Sequence, residues 1–126
     1  MKVKTSELIG PALDWAVAKC LVGTEMSRLR VFHGWFRLLK DGGDPRGEGC
    51  ATDFSTNWSQ GGPIIEREGG TLWSTNAMGW RCKARYDLAN DKEGVTTDGP
   101  TPLIAAMRCY VASRLGDEVD VPEELR

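Results

Sequence analysis

The feature that most constrains the fold is a helix signature near the carboxyl end of the sequence. Thr101 is a residue type that caps helices, Pro102 suits the first helical turn, and Gly116 is typical of a helix end. Apolar residues recur between them at helical spacing, and small residues there allow close packing: Ile104, Met107, Val111 and Leu115, with Ala105, Ala106 and Ala112. The segment therefore predicts a helix that packs tightly against another layer.

A second helix is predicted within residues 5–22, so that two helices frame the chain. Pro11 follows Gly10, and proline is favoured at the first helical position. Gly23 is a suitable stop. The helix has an amphipathic stripe at i, i+3, i+4 and i+7: Leu13, Ala16, Val17 and Cys20.

The middle of the chain is predicted to consist of strands and loops. Residues 28–39 are rich in β-branched and aromatic side chains, which predicts one strand, or two with a bend at Gly34. Further strands are predicted at residues 64–68, 71–74 and 80–87, with loops or turns at 41–49, 76–79 and 89–99.

This order of elements predicts an α+β fold. The N-terminal and C-terminal helices would pack on one face of a mostly antiparallel sheet. At 126 residues, the chain fits one domain, residues 1–126, which can bury a core without disulfides or metal. Its tail, residues 116–126, holds five acidic residues and one basic residue, and is predicted to be extended, with Val119, Val121 and Pro122 docking onto the body.

Composition restricts the classes of partner. The net charge is −2, with −4 in the tail and +2 in the rest of the chain, so a nucleic-acid partner, which needs a strong basic excess, is not predicted. No apolar run approaches the ~20 residues that cross a bilayer, and no signal-peptide pattern is present. We therefore expect a protein of the cytoplasm with no membrane partner.

The cysteines do not predict a metal site. Cys20, Cys50, Cys82 and Cys109 are widely spaced, and His33 is the single histidine. Zinc ligands normally come in closely spaced pairs, so neither a metal nor another cofactor is predicted. We expect the cysteines to be reduced, small and mostly buried side chains.

Residues 54–68 form the candidate binding segment. An aromatic ring at Trp58 suits stacking on a planar ligand, and the polar groups beside it suit hydrogen bonding. The alternative is a Gly-Gly-Pro turn, stiffened by Pro63, that leads into a strand. The candidate ligand-binding residues in this segment are Trp58, Ser59, Gln60, Gly61, Gly62 and Arg67.

Charged residues in two predicted strands offer further alternatives. Glu66 and Glu68 would share one strand face, with Arg67 opposite, and paired carboxylates suit a divalent metal, with Asp53 as a further ligand. The simpler interpretation is a solvated face whose carboxylates pair with a basic row on a neighbouring strand. That row comprises Arg81, Lys83 and Arg85.

Arg108 is the last candidate binding residue. It lies among small and apolar residues of the C-terminal helix, where an arginine either reaches solvent or forms a specific ion pair. Asp14 on the first helix is the predicted partner.

Three blocks of the sequence resemble the NinX-like family of small proteins from lambdoid phages and prophages. They are residues 1–8 (MKVKTSEL) with 12–18 (ALDWAVA), residues 55–68 (STNWSQGGPIIERE), and residues 99–113 (GPTPLIAAMRCYVAS) with Gly116-Asp and Val121-Pro following. The family pattern has Asp where this chain has Asn57. The resemblance implies a phage or prophage origin and action in the bacterial cytoplasm, and it implies no activity.

The leading hypothesis is a non-enzymatic phage accessory protein that binds a small, nucleotide-like ligand or a host protein, and so counteracts a host defence. The sequence has no nucleophile, Walker or zinc-protease motif to indicate catalysis. One alternative is a metal-dependent hydrolase or nuclease that uses Glu66 and Glu68. The other is a homo-oligomeric interaction module with tryptophans at its interface.

Overall fold

The computed structural model describes residues 2–23, 29–32, 35–38, 53–75, 79–87 and 92–125. Within these ranges the helices are Gly10–Val22 (α1), Trp58–Glu68 (α2) and Pro102–Leu115 (α3). The strands are Lys2–Lys4 (β1), Leu29–Phe32 (β2), Trp35–Leu38 (β3), Thr71–Thr75 (β4), Gly79–Lys83 (β5), Tyr86–Asp87 (β6), Lys92–Glu93 (β7), Thr96–Gly99 (β8) and Glu118–Asp120 (β9). The predictions for His33, Gly34, Cys50 and the loop 41–49 concern residues outside these ranges.

The centre of the molecule is an antiparallel sheet with a helix on one face. Strand β5 pairs with β4 on one side and with β8 on the other, both antiparallel. Helix α3 packs on this sheet, and α1 packs on α3. The predicted α+β class is confirmed, and α1 completes the helical layer through its contact with α3.

Helix α3 has the ends that its sequence predicts. The Thr101 hydroxyl oxygen accepts a hydrogen bond from the Ile104 N–H at 3.1 Å, and Gly116 follows the helix with a φ of 88°, a conformation that favours glycine. Ala105 and Met107 lie on nearly opposite sides of the helix, and both are fully buried, as is Val111. Helix α3 is therefore the central element of the core.

The acidic tail is anchored to the start of the chain. Strand β9 pairs antiparallel with β1, and the Thr5 hydroxyl donates a hydrogen bond to the Gly116 carbonyl at 2.6 Å. Val119 and Val121 are buried, which confirms their predicted docking. The tail is also more ordered than predicted, because residues Glu123–Leu125 form a 3₁₀ turn that buries Leu125.

Strands β2 and β3 form a separate antiparallel hairpin, as one of the two alternatives for residues 28–39 predicted. Leu29 and Phe36 on one face are buried in the core. On the other face, the rings of Phe32 and Trp35 stack with centroids 4.1 Å apart and are both exposed. The hairpin thus leaves an apolar patch uncovered by the described residues.

The strand predicted at residues 64–68 is wrong, because this segment lies in helix α2. The Asn57 side chain accepts a hydrogen bond from the Ser59 N–H at 2.9 Å and so caps the helix. Gly61 packs against the Phe54 carbonyl and Leu103 so closely that a side chain there would overlap both. The Gly-Gly-Pro sequence therefore serves close packing in a helix and does not form a turn.

Two other segments differ from the predictions, whereas helix α1, Gly10–Val22, lies within the predicted residues 5–22 and follows a 3₁₀ turn at Thr5–Glu7. The strand predicted at residues 80–87 is divided into β5 and β6, and the polar loop predicted at 89–99 contains β7 and β8. Strand β8 pairs with β5 although it contains polar residues such as Thr96 and Asp98. The strand was not predicted because its sequence lacks the alternation of apolar and polar residues that indicates a strand. None of the described helices is long and apolar enough to cross a membrane.

Candidate functional site

A cavity of about 410 Å³ opens between α2, α3 and β5, and we call it the α2–α3 cleft. Its walls are mostly apolar, with Met107 and Ile64 among the buried lining residues. Its mouth carries charged side chains. The lining residues are Ile64, Ile65, Arg67, Glu68, Gly70, Cys82, Ala84, Arg85, Ala106, Met107, Cys109, Tyr110, Ser113 and Arg114. A volume of this size, apolar walls and a few polar groups are typical of small-molecule binding sites.

The cleft mouth has more positive than negative charge. Three arginines and one glutamate line it, and Glu68 forms an ion pair with Arg114. Arg67 makes a long contact of 3.5 Å to the Tyr110 hydroxyl. Arg85 lies against Gly69, at the end of α2. No carboxylate of the described residues pairs with Arg67 or Arg85, so these two guanidinium groups are free to bind an anion.

Tyr110 links the apolar wall to the charged mouth. The residue is buried, and burial raises the pKa of its hydroxyl group. The Arg114 guanidinium lies over the ring, 5.3 Å from its centroid, in a cation–π contact. The hydroxyl therefore stays protonated at neutral pH and can donate a hydrogen bond to a ligand in the cleft.

Two buried thiols also line the cleft. Cys82 on β5 and Cys109 on α3 are both buried, and the Cys109 thiol donates a hydrogen bond to the Val95 carbonyl at 3.6 Å. The interaction between the two thiols lowers the pKa of Cys82 and raises the pKa of Cys109, which burial raises further. Burial raises the pKa of the half-buried Cys20 thiol to about 12. Both cleft thiols fit the expectation of small buried side chains.

Most of the candidate residues at the start of α2 lie outside the cleft. The Trp58 side chain is 52% exposed on the first helical turn. The Ser59 hydroxyl bonds Asn57, and the Gln60 side-chain oxygen accepts a hydrogen bond from the Asp53 N–H at 2.7 Å. Gly61 is buried, and Gly62 lies beside the Trp58 ring. Of the seven candidates, Arg67 alone lines the cleft.

Arg108 holds two backbone segments together. Its guanidinium donates to the Leu8 carbonyl at 2.8 Å and to the Asp98 carbonyl at 2.9 Å, and burial lowers its pKa. The predicted ion pair with Asp14 is wrong. Asp14 is buried beside residues 53–56 and accepts a hydrogen bond from the Ser55 N–H at 2.8 Å.

The proposed carboxylate pair of the metal-site hypothesis also changes. Glu66 and Glu68 lie two positions apart on a helix, so they do not share a face as they would on a strand. Glu68 pairs with Arg114, and Arg81 pairs with Asp98 on β8 at 2.7 Å. The predicted pairing of the Glu66–Glu68 face with the basic row is therefore wrong. No group of three metal-ligand side chains occurs among the described residues.

Sequence reasoning missed most of the cleft residues. Tyr110 and Arg114 are spaced i, i+4 at the end of α3, a pattern that indicates a shared helix face. The sequence places Arg85 only in the row of basic residues on a predicted strand, and does not indicate a binding site there. What joins Arg85 to Arg114 is the packing of α3 on β5, which no local pattern contains.

Comparisons with known proteins identify a phage family. No curated protein matches the chain. A model of the family described as bacteriophage P22, NinX, matches residues 4–114, a range that includes α1, α2, all but the last residue of α3, and the whole cleft. The chain therefore belongs to the NinX family of phage proteins.

Proposed function

We propose that this phage-associated protein is a non-enzymatic binding module whose α2–α3 cleft holds a small amphipathic anion. The apolar part of the ligand would lie against Ile64 and Met107, and its negative charge at Arg67 and Arg85. The protein would act in the cytoplasm of the bacterial host. By binding a host metabolite, the protein would lower its free concentration and so counteract a host defence. Such sequestration requires a binding site but no catalysis.

One observation carries this proposal: two arginines without carboxylate partners among the described residues stand at the mouth of an apolar cavity. An arginine near low-polarity walls interacts more strongly with an anion than one in open water. Arg114, by contrast, is neutralised by Glu68. The net charge of the mouth thus favours an anionic ligand over a neutral or cationic one.

The test is an NMR titration with four small aromatic probes: phenyl phosphate, benzoate, benzyl alcohol and benzylamine. We expect the two anions to shift the amide signals of Ile64, Met107 and Cys109, and to bind at least tenfold more tightly than the alcohol or the amine. Arg67→Gln and Arg85→Gln should each weaken anion binding about tenfold, the usual effect of losing a charged hydrogen bond.

Arg30→Gln is the matched control, because Arg30 is an exposed arginine on β2, outside the cleft. It should leave every affinity unchanged. Equal binding of benzoate and benzylamine, or anion binding that survives the Arg67→Gln/Arg85→Gln double variant, would refute the proposal.

The hairpin patch favours a second candidate function, self-association. Phe32 and Trp35, which we call the hairpin patch, stack on one face of the β2–β3 hairpin and are exposed, and exposed apolar patches mark interaction sites. Light scattering at rising protein concentration should then show a dimer that Trp35→Ser converts to a monomer. A wild-type monomer at all concentrations would exclude this function.

A further inference from the structure

A second, polar pocket of about 300 Å³ adjoins the α2–α3 cleft. It is lined by Thr71, Lys83, Ala84, Arg85 and Gly94, and we call it the Lys83 pocket. Ala84 and Arg85 also line the cleft, so the two cavities meet at this pair of residues. Cys82 and Lys83 are consecutive on β5 and face opposite sides of the sheet, so a ligand that spans both cavities would pass along Arg85.

The Lys83 pocket combines cations with a hydroxyl group. Thr71 lies directly opposite Lys83 in the β4–β5 register, and Arg85 follows two residues later in the chain. No acidic residue is among the described side chains that line the pocket. Arg81, on the same strand face as Lys83, is neutralised by Asp98, whereas no described carboxylate pairs with Lys83. The described lining residues thus present two cationic groups and one hydroxyl donor.

Gly94 keeps one wall of the pocket free of side chains. A Cβ atom there would overlap the Ala84 carbonyl, because the backbone is held close by a 2.9 Å hydrogen bond from the Ala84 N–H to the Val95 carbonyl. The volume of about 300 Å³ is well above the minimum that holds a single water molecule. A phosphate group that retains part of its hydration fits such a space.

Resting on the proposed function, we infer that the Lys83 pocket is a phosphate subsite, and that the ligand is a phosphomonoester whose apolar body occupies the α2–α3 cleft. A phosphoryl group has three terminal oxygens, and can engage Lys83, Arg85 and the Thr71 hydroxyl at the same time. A carboxylate carries less charge and places its two oxygens in one plane, so it matches three convergent donors less well than a tetrahedral phosphoryl group does. Arg85 would contact the ligand where the phosphate joins its apolar body.

Paired NMR titrations with phenyl phosphate and benzoate test this inference. Lys83→Gln should weaken phenyl phosphate binding about tenfold and leave benzoate binding unchanged, because benzoate reaches only the cleft arginines. Thr71→Val should weaken phenyl phosphate binding about threefold. Lys4→Gln, which removes an exposed lysine of β1, is the matched control and should change neither affinity.

Inorganic phosphate alone provides a readout that does not involve the cleft. In the wild-type protein it should shift the amide signals of Thr71, Lys83 and Gly94, and in Lys83→Gln it should not. Phosphate shifts without binding of either aromatic anion would support the subsite and refute the cleft function. Binding of both aromatic anions with no effect of Lys83→Gln would support the cleft and overturn the subsite.

Discussion

Asp14 is a buried carboxylate whose titration should make folding stability depend on pH. The side chain is 5% exposed on α1 and accepts a hydrogen bond from the Ser55 N–H at 2.8 Å. Burial raises its pKa from 3.8 to about 6, and its hydrogen bonding to Ser55 offsets only part of that effect. The folded protein therefore holds this proton more tightly than the unfolded chain does.

The sign and size of the effect follow from this difference. Between about pH 4 and pH 6 the folded state binds more protons at Asp14 than the unfolded state, so the free energy of unfolding falls as pH rises through this window. A shift of about two pKa units corresponds to roughly 3 kcal/mol, which is an upper value for this single group. The stabilising contribution is present below pH 4 and is lost above pH 6.

Asp14→Asn isolates this contribution. The asparagine oxygen can still accept the Ser55 hydrogen bond, but the side chain does not titrate. We expect urea unfolding to show the variant gaining up to about 3 kcal/mol relative to wild type between pH 4 and pH 8. The contributions of the other ionisable groups to the pH dependence are the same in both proteins and therefore cancel. Asp117→Asn, at an exposed site, is the control.

The reasoning fails if the difference in the free energy of unfolding between Asp14→Asn and wild type stays constant within about 0.5 kcal/mol from pH 4 to pH 8. A variation of that size is no larger than the effect of an ordinary surface substitution. It also fails if wild type gains stability relative to the variant as pH rises. The first result would mean that the pKa of Asp14 is the same in the folded and the unfolded protein, and the second that its folded-state pKa is lower than the unfolded value.

Three further predictions concern neighbouring glycines, a helix cap and a thiol. Gly61→Ala should destabilise the protein by several kcal/mol because its side chain would overlap the Phe54 carbonyl, whereas Gly62→Ala, with no such neighbour, should stabilise the helix by up to about 1 kcal/mol; thermal unfolding distinguishes the two. Thr101→Ala should lower the free energy of unfolding by about 1 kcal/mol in urea titrations, through loss of the α3 cap. Cys20, with a pKa of about 12, should react with iodoacetamide at pH 8 roughly a thousandfold more slowly than an ordinary thiol, as mass spectrometry of native and urea-unfolded protein can show.

The parts of the fold that depend on local signals were predictable from sequence. Thr101 and Gly116 mark the ends of α3 through contacts within a few residues, and the structure has both. The apolar residues Val119 and Val121 likewise predicted that the tail docks. Capping residues and apolar residues of this kind can be recognised within a short stretch of sequence.

Helix α2 and the cleft depended on contacts between distant segments. Position 61 requires glycine because Phe54 and Leu103 approach its backbone closely. A prediction from local sequence interprets the same glycine as a sign of a turn. The cleft likewise brings Arg67, Arg85 and Arg114 together from three elements. Single-sequence patterns recognise none of these pairings, because they are set by how α2 and α3 pack beside β5.

The central claim is that an amphipathic anion occupies the α2–α3 cleft with its apolar part against the buried wall. Intermolecular nuclear Overhauser effects between the ring protons of phenyl phosphate and methyl-labelled protein test this most directly. We predict contacts from the ring to the methyl groups of Ile64, Ala106 and Met107, which line the cleft. Contacts confined to Trp58 or to the hairpin patch, at probe concentrations that saturate the amide shifts, would contradict it.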